Sequence, residues 1–390
     1  MCRDVPWGNP LAHLLITGGA GFIGSHACLE LLQAGHSLLV MDSFANSGPE
    51  PLRRVAELAG VEGWHREGPR WWGTAPGQPQ RLRLFQGDVR SAADLEGLFG
   101  AGAPIDAVLH FAGLKAVAES VTEPLKYWDV NLCGSQRLLA AMQAVGCRTI
   151  VFSSSATIYG HPATMPIPET AAVHPINPYG HSKSAVEQML ADMATSESGW
   201  RVARLRYFNP VGAHPSGRIG EDPNDAPTNL FPLMVQVAVG RTPRLEVYGS
   251  DWPTPDGTGV RDYIHVMDLA EGHGAALELL LAEGPQLLTL NLGTGRGFSV
   301  LEVVKAFEAV SHLAIPYELR ERRQGDVAMS IADVSEAERR LGWRATRSLT
   351  DMCRDSWTWL RSNPLGYGQL GTRAWSDLSE SAQAVASWGT

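Results

Sequence analysis

A tyrosine and a lysine spaced for proton transfer are the first candidates for chemistry in this sequence. Tyr179 and Lys183 lie four residues apart directly after Pro178, a residue suited to the first turn of a helix, so both side chains leave one helical face. Of the eight tyrosines, only Tyr179 has a lysine at this spacing. An ordinary surface pair takes the same spacing, so the pair alone leaves both interpretations open.

Ser155 favours the catalytic interpretation, because it ends a predicted strand at the sheet edge where ligands bind in α/β folds. A phenol with a pKa near 10 is a poor base at neutral pH, but an adjacent ammonium and an oxidised nicotinamide would both lower that pKa. The three residues therefore predict alcohol oxidation. Tyr179 would take the hydroxyl proton while hydride passes to a nicotinamide, and Ser155 would hold the same hydroxyl.

A glycine-rich turn supplies the matching cofactor signal. Gly18, Gly21 and Gly24 are spaced G-x-x-G-x-x-G between the first predicted strand and the first helix, where backbone can approach a pyrophosphate at the helix N-terminus. Asp42 ends the second predicted strand, and its carboxylate would accept the ribose hydroxyls and repel a 2′-phosphate. We therefore expect NAD rather than NADP. Asp88 is a weaker candidate for the adenine, since Asp also begins turns.

The elements that must position these residues follow a βαβ rhythm. Short apolar runs alternate with helix-period segments such as 23–34 and 125–144, and the runs lie at 11–16, 38–41, 82–85, 107–111, 149–152 and 202–207. Continuous apolar strands suit a parallel sheet covered on both faces. The fold class predicted is α/β, a doubly wound parallel Rossmann sheet with a smaller α/β substrate-binding lobe.

The chain divides into three predicted parts. Residues 10–208 form the NAD-binding domain, and residues 366–390 form a flexible tail. Residues 209–365 form the second lobe, because several prolines there interrupt the alternation of strands and helices. The segment 61–80 carries four Gly, three Pro and three Trp. We expect it to be an inserted loop outside the sheet.

Composition excludes several classes of protein. With 390 residues, 44% of them hydrophobic and 19% charged, the chain is globular, in one large or two fused domains. A net charge of −9 without a run of basic residues argues against nucleic-acid binding. Five scattered cysteines without C-x-x-C and twelve histidines without H-E-x-x-H predict neither disulfides nor a metal site. The sequence has no membrane-spanning or secretory pattern, so we expect a soluble, cytoplasmic protein.

Several longer stretches carry a specific resemblance. They are TGGAGFIGSH, HFAGLKAVAES, FSSSATIYG, NPYGHSK, LRYFNPVGAHPSG, GEDP, DGTGVRDYIHVMDLA and RRQGDVA. On these stretches, residues 11–365 resemble the UDP-glucose 4-epimerases of the extended short-chain dehydrogenase/reductase superfamily. The resemblance implies interconversion of UDP-glucose and UDP-galactose in galactose metabolism, through a transient 4-keto sugar and a tightly held NAD. It also implies a homodimer formed through helices within 119–145 and 178–197.

The resemblance assigns roles residue by residue. It implies that Ser155, Tyr179 and Lys183 are catalytic. The residues implied around NAD are Gly18, Gly21, Phe22, Ile23, Gly24, Asp42, Asn46, Asp88, Val89, Phe111, Ala112, Gly113, Lys115, Asn131, Tyr179, Lys183 and Tyr207. Those implied around the UDP-sugar are Ser155, Asn209, Asn229, Leu230, Tyr248, Arg261, Arg323, Asp326 and Ser330, with the two arginines at the pyrophosphate.

Three alternatives and one extension accompany this interpretation. Sister enzymes of the superfamily, dehydratases and decarboxylases, share the glycine turn and the Tyr/Lys pair, but Ala156 and Thr157 follow Ser155 where a dehydratase carries an acidic pair. An NAD-binding pseudoenzyme would commonly lack Tyr or Lys of the pair. Ser330 occupies a position where the family has either tyrosine or a small residue beside the hexose 2-position. A small residue leaves room for an N-acetyl group, which predicts activity on UDP-GlcNAc and UDP-GalNAc as well.

Overall fold

The computed structural model describes residues 11–74, 81–100, 103–224, 229–323 and 325–368. The first part of the chain forms β1 (His13–Thr17), α1 (Phe22–Gln33), β2 (Ser37–Asp42), α2 (Glu50–Leu58), β3 (Glu62–Glu67), β4 (Arg70–Thr74), β5 (Leu82–Gln86), α3 (Ala92–Gly100), β6 (Ala107–His110), α4 (Val117–Thr122), α5 (Pro124–Tyr127), a π-helical segment (Trp128–Cys133), α6 (Gly134–Val145), β7 (Thr149–Ser155), a 3₁₀ turn (Ala156–Tyr159), α7 (Pro178–Ser196) and β8 (Arg201–Tyr207).

The remainder forms short strands and longer helices. They are β9 (Asn209–Val211), α8 (Leu230–Ala238), β10 (Leu245–Tyr248), β11 (Val260–Arg261), β12 (Tyr263–His265), α9 (Val266–Ala282), β13 (Gln286–Leu292), β14 (Phe298–Ser299), α10 (Val300–Ser311), β15 (Tyr317–Arg320), β16 (Met329–Ser330), α11 (Ser335–Leu341) and α12 (Leu349–Ser362).

A nine-stranded sheet in the order β13-β8-β7-β6-β1-β2-β5-β4-β3 organises the fold. The strands from β13 to β5 are parallel, and all six apolar runs predicted as strands lie among them. Leu14 and Ile16 pack on one face with residues of α1 and α9, while Leu15 packs on the other face with residues of α6 and α7. Burial on both faces is why these strands read as continuous apolar runs. The doubly wound Rossmann sheet is confirmed.

The boundary predicted at residue 208 is wrong, because the first domain continues later in the chain. Strand β13 pairs in parallel with β8 along its whole length, and α9 packs against α1 on the face of the same sheet. The second lobe is therefore discontinuous. It consists mainly of α8, α10 and α12 around their own apolar core, with short strands beside them.

The insert at 61–80 is not a loop outside the sheet over the residues that are described. Strands β3 and β4 form an antiparallel hairpin, and β4 pairs antiparallel with β5, so the hairpin extends the sheet at its edge. Trp71 supplies the reason, since its side chain is buried against the first core, where Phe44 meets it edge-on. Residues 75–80 of the predicted insert lie outside the described residues, as does residue 10 of the predicted first domain.

The tail predicted to begin at residue 366 begins later. Tyr367 is only 9% exposed, its ring packs against Trp359, and its hydroxyl hydrogen-bonds both the N–H and the carbonyl oxygen of Gly220 at 2.9 Å. Residues 366–368 thus belong to the fold. The rest of the predicted tail, residues 369–390, lies outside the described residues.

Candidate active site

A cavity of about 1850 Å³ opens at the carboxyl ends of the parallel strands. It spans the point between β1 and β6 where the strand order reverses, which is where open α/β sheets bind ligands. Residues of the second lobe form its opposite wall. A pocket for one drug-sized ligand has a volume of roughly 300–1,000 Å³, so this cavity has room for two large ligands together.

The glycine turn lies at the floor of the cavity. Gly18 has a φ of +72°, and a Cβ there would lie 2.5 Å from the backbone nitrogen of Ala112, so only glycine fits. A Cβ on Gly24 would collide with the Gly18 carbonyl. At Gly21 a Cβ would meet only the Gly18 oxygen, at 3.4 Å, because its other side faces the cavity. No side chain caps the helix that begins at Phe22. The turn can therefore receive a pyrophosphate at a helix N-terminus.

Asp42 is fixed at the end of β2 with both carboxylate oxygens engaged. One oxygen accepts a hydrogen bond from the Ala20 N–H, and the other accepts from the Phe44 N–H and the Ser47 hydroxyl, all at 2.9 Å. Burial raises the pKa of Asp42, and these hydrogen bonds oppose that rise. The carboxylate lines the cavity with lone pairs to spare, as a ribose site requires. Its surroundings fit NAD.

The other predicted cofactor residues line the same cavity, with one exception. Those that line it are Gly18, Gly21, Phe22, Ile23, Gly24, Asp42, Asn46, Asp88, Val89, Phe111, Ala112, Gly113, Lys115, Tyr179, Lys183 and Tyr207. Asp88 is paired with Arg90 at 2.7 Å, and this pairing lowers the pKa of Asp88. The exception is Asn131.

Asn131 lies behind the cavity wall rather than in it. It is 2% exposed, its amide oxygen accepts from the Leu114 N–H at 2.8 Å, and its amide nitrogen donates to the Leu114 carbonyl and to Ser182. The structure places the Asn131 side chain behind the cavity lining, and its contact with NAD stays a prediction. Its side chain holds the loop after β6 in place, and with it the cavity residues Gly113 and Lys115.

Lys183 is buried at the base of the site. Its ammonium donates to the Ser153 carbonyl at 2.9 Å and lies 4.9 Å from the centre of the Phe152 ring. Burial lowers the pKa of Lys183 to about 8, and the Glu187 carboxylate opposes this. The lysine therefore carries its charge at neutral pH and loses it in mildly alkaline solution.

Tyr179 lies beside Ser155, and in the chain without cofactor its pKa is raised rather than lowered. The Ser155 hydroxyl and the Tyr207 phenol lie close enough to its side chain, which is 5% exposed, to affect its pKa. Burial raises the pKa of Tyr179 well above 10, and the Ser155 contact lowers it only in part. Lys183 and the other side chains do not by themselves lower the pKa of Tyr179. The free energy of removing the phenolate from water exceeds the stabilisation that its neighbours provide. A further positive charge is needed to make this tyrosine a base.

The predicted sugar-nucleotide residues reach the same cavity, most of them from the opposite wall. All of them line the cavity: Ser155, Asn209, Asn229, Leu230, Tyr248, Arg261, Arg323, Asp326 and Ser330. Arg261 and Ser330 face each other in the pairing of β11 with β16, and the Arg323 guanidinium stacks 3.8 Å from the Tyr248 ring centre. Asn229 precedes α8 without capping it. Two guanidinium groups and a helix start thus surround this end, as a pyrophosphate requires.

Two contacts that join the cavity walls were missed by the sequence analysis. The Lys115 ammonium pairs with Glu221 at 2.8 Å, and the Asn46 amide oxygen accepts from the Asn224 N–H at 2.7 Å. Burial would lower the pKa of Lys115, but Glu221 raises it. Glu221 lies in the GEDP stretch, which marked the segment as specific. Its partner could not be read from the sequence, because the two residues are far apart along the chain.

The comparisons with known proteins agree with this geometry. Residues 14–293 match the model of the NAD dependent epimerase/dehydratase family. The chain belongs to this family. The UDP-glucose 4-epimerase of Bacillus subtilis is 51% identical over 355 residues, which are 91% of this chain and 98% of that protein. The resemblance inferred from the motifs is confirmed.

Two solved structures are similar along nearly the whole fold. UDP-glucose-4-epimerase from Stenotrophomonas maltophila, with bound NAD and formylated UDP-arabinopyranose, has a TM-score of 0.83 and 48% identity, covering 90% of this chain and 99% of that one. UDP-glucose 4-epimerase from Bifidobacterium longum, in complex with NAD+ and UDP, has a TM-score of 0.82 and 45% identity, covering 91% and 99%. Among the described residues of the present chain, no helix is long and apolar enough to cross a membrane.

Proposed function

We propose that this protein interconverts UDP-glucose and UDP-galactose by inverting C4 of the hexose, using an NAD that stays in the same cavity. One observation carries the proposal: Tyr179, Lys183 and Ser155 lie in a single cavity with the glycine turn and Asp42 as well as Arg261 and the other sugar-nucleotide residues. NAD, when bound, supplies the acceptor and donor for the C4 hydride. Relatives named UDP-glucose 4-epimerase, with close to half or more of their residues identical, support the same activity.

Side chains of the protein carry out the other steps of the reaction. Tyr179 takes the proton of the C4 hydroxyl and later returns one, while Ser155 holds the same oxygen. The chain alone keeps Tyr179 protonated, so its base form depends on the positive charge that oxidised NAD brings. Lys183 contributes its ammonium and is held in place by the Ser153 carbonyl. Burial excludes bulk water from all three groups.

The opposite wall holds the nucleotide while the sugar turns. Arg261 and Arg323 are placed for the pyrophosphate and Tyr248 for the uridine, so the hexose remains the mobile end of the substrate. The 4-keto sugar must present its other face before it is reduced again. A cavity with room for two ligands supports this movement.

The activity is tested with the purified protein, UDP-galactose and no added NAD. We expect UDP-glucose to form, measured by a coupled enzyme and by mass spectrometry. A product that has lost water or carbon dioxide would instead indicate a dehydratase or a decarboxylase. Bound NAD with no conversion of any UDP-hexose would identify a pseudoenzyme and refute the proposal.

We extend the proposal to UDP-GlcNAc and UDP-GalNAc on account of Ser330. This small side chain lines the cavity on β16, opposite Arg261, and leaves space that a bulky ring would fill. Ser330→Tyr is expected to lower turnover of the acetylated sugars at least about tenfold, since steric exclusion of this kind is worth 1–3 kcal/mol, and to spare UDP-glucose. Ser330→Ala is the matched control. Unchanged acetyl-sugar activity in Ser330→Tyr would refute this extension.

A homodimer, a cytoplasmic location and a role in galactose metabolism stay predictions. For the dimer, Leu125 on α5 and Val145 on α6 are 81% and 53% exposed within the segment 119–145 that is predicted to pair. Sedimentation analysis should give twice the chain mass. The four described cysteines, which are all free, support a reducing compartment.

A further inference from the structure

Three consecutive serines at the end of β7 meet three residues on successive turns of α7. The Ser153 carbonyl accepts from the Lys183 ammonium at 2.9 Å, and the Ser155 hydroxyl lies beside Tyr179. Between them, the Ser154 hydroxyl donates to the Glu187 carboxylate at 2.6 Å. Tyr179, Lys183 and Glu187 follow at intervals of four and therefore share one helical face. The proposed function uses the first two contacts and gives Glu187 no part.

Glu187 is also fastened to the neighbouring strand. Its carboxylate accepts from Nε and Nη2 of Arg206 on β8 at 3.0 and 2.7 Å, a two-point geometry that fixes orientation as well as distance. The side chains are 4% and 5% exposed. Arg206 faces Ser154 in the β7–β8 pairing and directly precedes Tyr207, which lines the cavity. One carboxylate therefore ties α7 to the ends of both strands.

Arg206 is itself held on its other side. It donates to the Tyr159 hydroxyl at 3.1 Å and to the Glu169 carbonyl at 3.0 Å, and the Tyr159 hydroxyl in turn donates to Asn291 on β13. The carboxylate of Glu169 is used elsewhere, accepting from the Asn291 N–H at 2.8 Å. The anchor of Glu187 is thus part of a buried polar network in which each member has partners.

The charge of Glu187 acts on Lys183 one turn away. Burial lowers the pKa of Lys183 to about 8, and Glu187 is the group that raises it. His110, on the β6 side, is neutral because burial lowers its pKa to about 3. The remaining titratable groups on this face are Tyr179 on α7, Tyr159 in the 3₁₀ turn, and Arg204, Arg206 and Tyr207 on β8.

We propose that Glu187 is a positioning residue for the C4 reaction. Fixed by Ser154 and Arg206, its carboxylate holds the Lys183 turn of α7 against the end of β7 and favours the ammonium form there. This role rests on the proposed function, since it concerns the lysine of that reaction. An ion pair that served stability alone would leave the titration of the active site unchanged.

The test is the pH dependence of kcat for Glu187→Gln, measured on the NAD-loaded enzyme. Loss of the carboxylate lowers the pKa of Lys183, so the alkaline limb of the profile should move about one pH unit toward acid. Turnover at pH 8.5 should fall more than turnover at pH 7. Glu187→Asp, which keeps the charge, should restore the wild-type limb. Glu169→Gln is the matched control, and it removes a carboxylate of the same network with no shift expected.

A second variant protects the test against misfolding. Glu187→Gln leaves Arg206 buried and unpaired, whereas Glu187→Gln/Arg206→Met removes both charges and should fold. In the double variant, the alkaline limb of the pH profile of kcat should also move toward acid. An unmoved limb in a folded variant overturns the proposal, as does failure of both variants to fold, which would make the pair a folding element. An inactive wild-type protein would instead refute the proposed function, so the two failures are distinguishable.

Discussion

Two glycines three residues apart should respond to alanine in opposite ways. Gly21→Ala places a methyl group into open cavity, because its only near neighbour is the Gly18 oxygen at 3.4 Å. Gly18→Ala places one 2.5 Å from the Ala112 nitrogen, in a backbone conformation with φ +72°. The first change should therefore damage cofactor binding and leave the fold intact. The second should damage the fold itself.

The structure sets the expected magnitudes. A left-handed conformation costs a non-glycine residue about 1–2 kcal/mol, and forcing backbone atoms apart adds about 1–3 kcal/mol, so Gly18→Ala should lose about 2–5 kcal/mol of unfolding free energy. Gly60→Ala isolates the first contribution, since Gly60 has φ +67° and nothing within 4 Å. Gly21→Ala should lose less than about 1 kcal/mol, the difference between glycine and alanine before a helix.

The assay combines urea unfolding of the NAD-free proteins with the NAD retained per chain after gel filtration. Gly21→Ala should unfold close to the wild type and bind NAD at least about tenfold more weakly, a loss of about 1.4 kcal/mol. Gly60→Ala should retain NAD. If Gly21→Ala keeps its NAD as the wild type does, the cofactor does not lie against this turn, and the placement of the pyrophosphate is refuted.

Two further predictions concern Asp42 and the buried histidines. Asp42→Ser removes the carboxylate that would repel a 2′-phosphate, so the ratio of NADP to NAD affinity should rise at least about tenfold, and an unchanged ratio in direct titrations would contradict the assignment. Burial lowers the pKa values of His26 and His110 to about 3 and of His273 to about 4. These side chains stay neutral in the folded protein and gain protons when it unfolds below pH 6.5. The unfolding free energy should therefore keep its full value above pH 6.5 and decrease at lower pH, by up to about 1.4 kcal/mol for each histidine and each pH unit. His273→Gln should reduce that slope, and a slope equal to that of the wild type would contradict this reasoning.

The sequence predicts the parallel strands because their burial on both faces leaves a continuous apolar run. The run 38–41 lies within β2 and the run 202–207 within β8. Strand β13 was missed because Thr289 and Asn291 interrupt its apolar residues, and because it follows a helix that the order along the chain assigned to the second lobe. Its place beside β8 depends on contacts far apart in sequence.

Composition misled the interpretation of the insert at 61–80. Glycine and proline favour loops, but Gly68 and Pro69 occupy the turn of a hairpin whose tryptophans suit strands. At the site, the residue types predicted the cavity lining well, because motif residues cluster at strand ends. The direction of a side chain such as that of Asn131 depends on tertiary packing. So does the balance of burial against hydrogen bonding that sets the pKa of Tyr179.

The assignment of Tyr179 as the base is tested most directly by Tyr179→Phe. The ring keeps its packing and loses only the hydroxyl, so NAD content and UDP affinity should equal those of the wild type. Turnover of UDP-galactose should fall by about 10²–10⁴-fold, the range of a lost general base. Turnover within a few-fold of the wild type, at equal NAD content, would contradict the assignment.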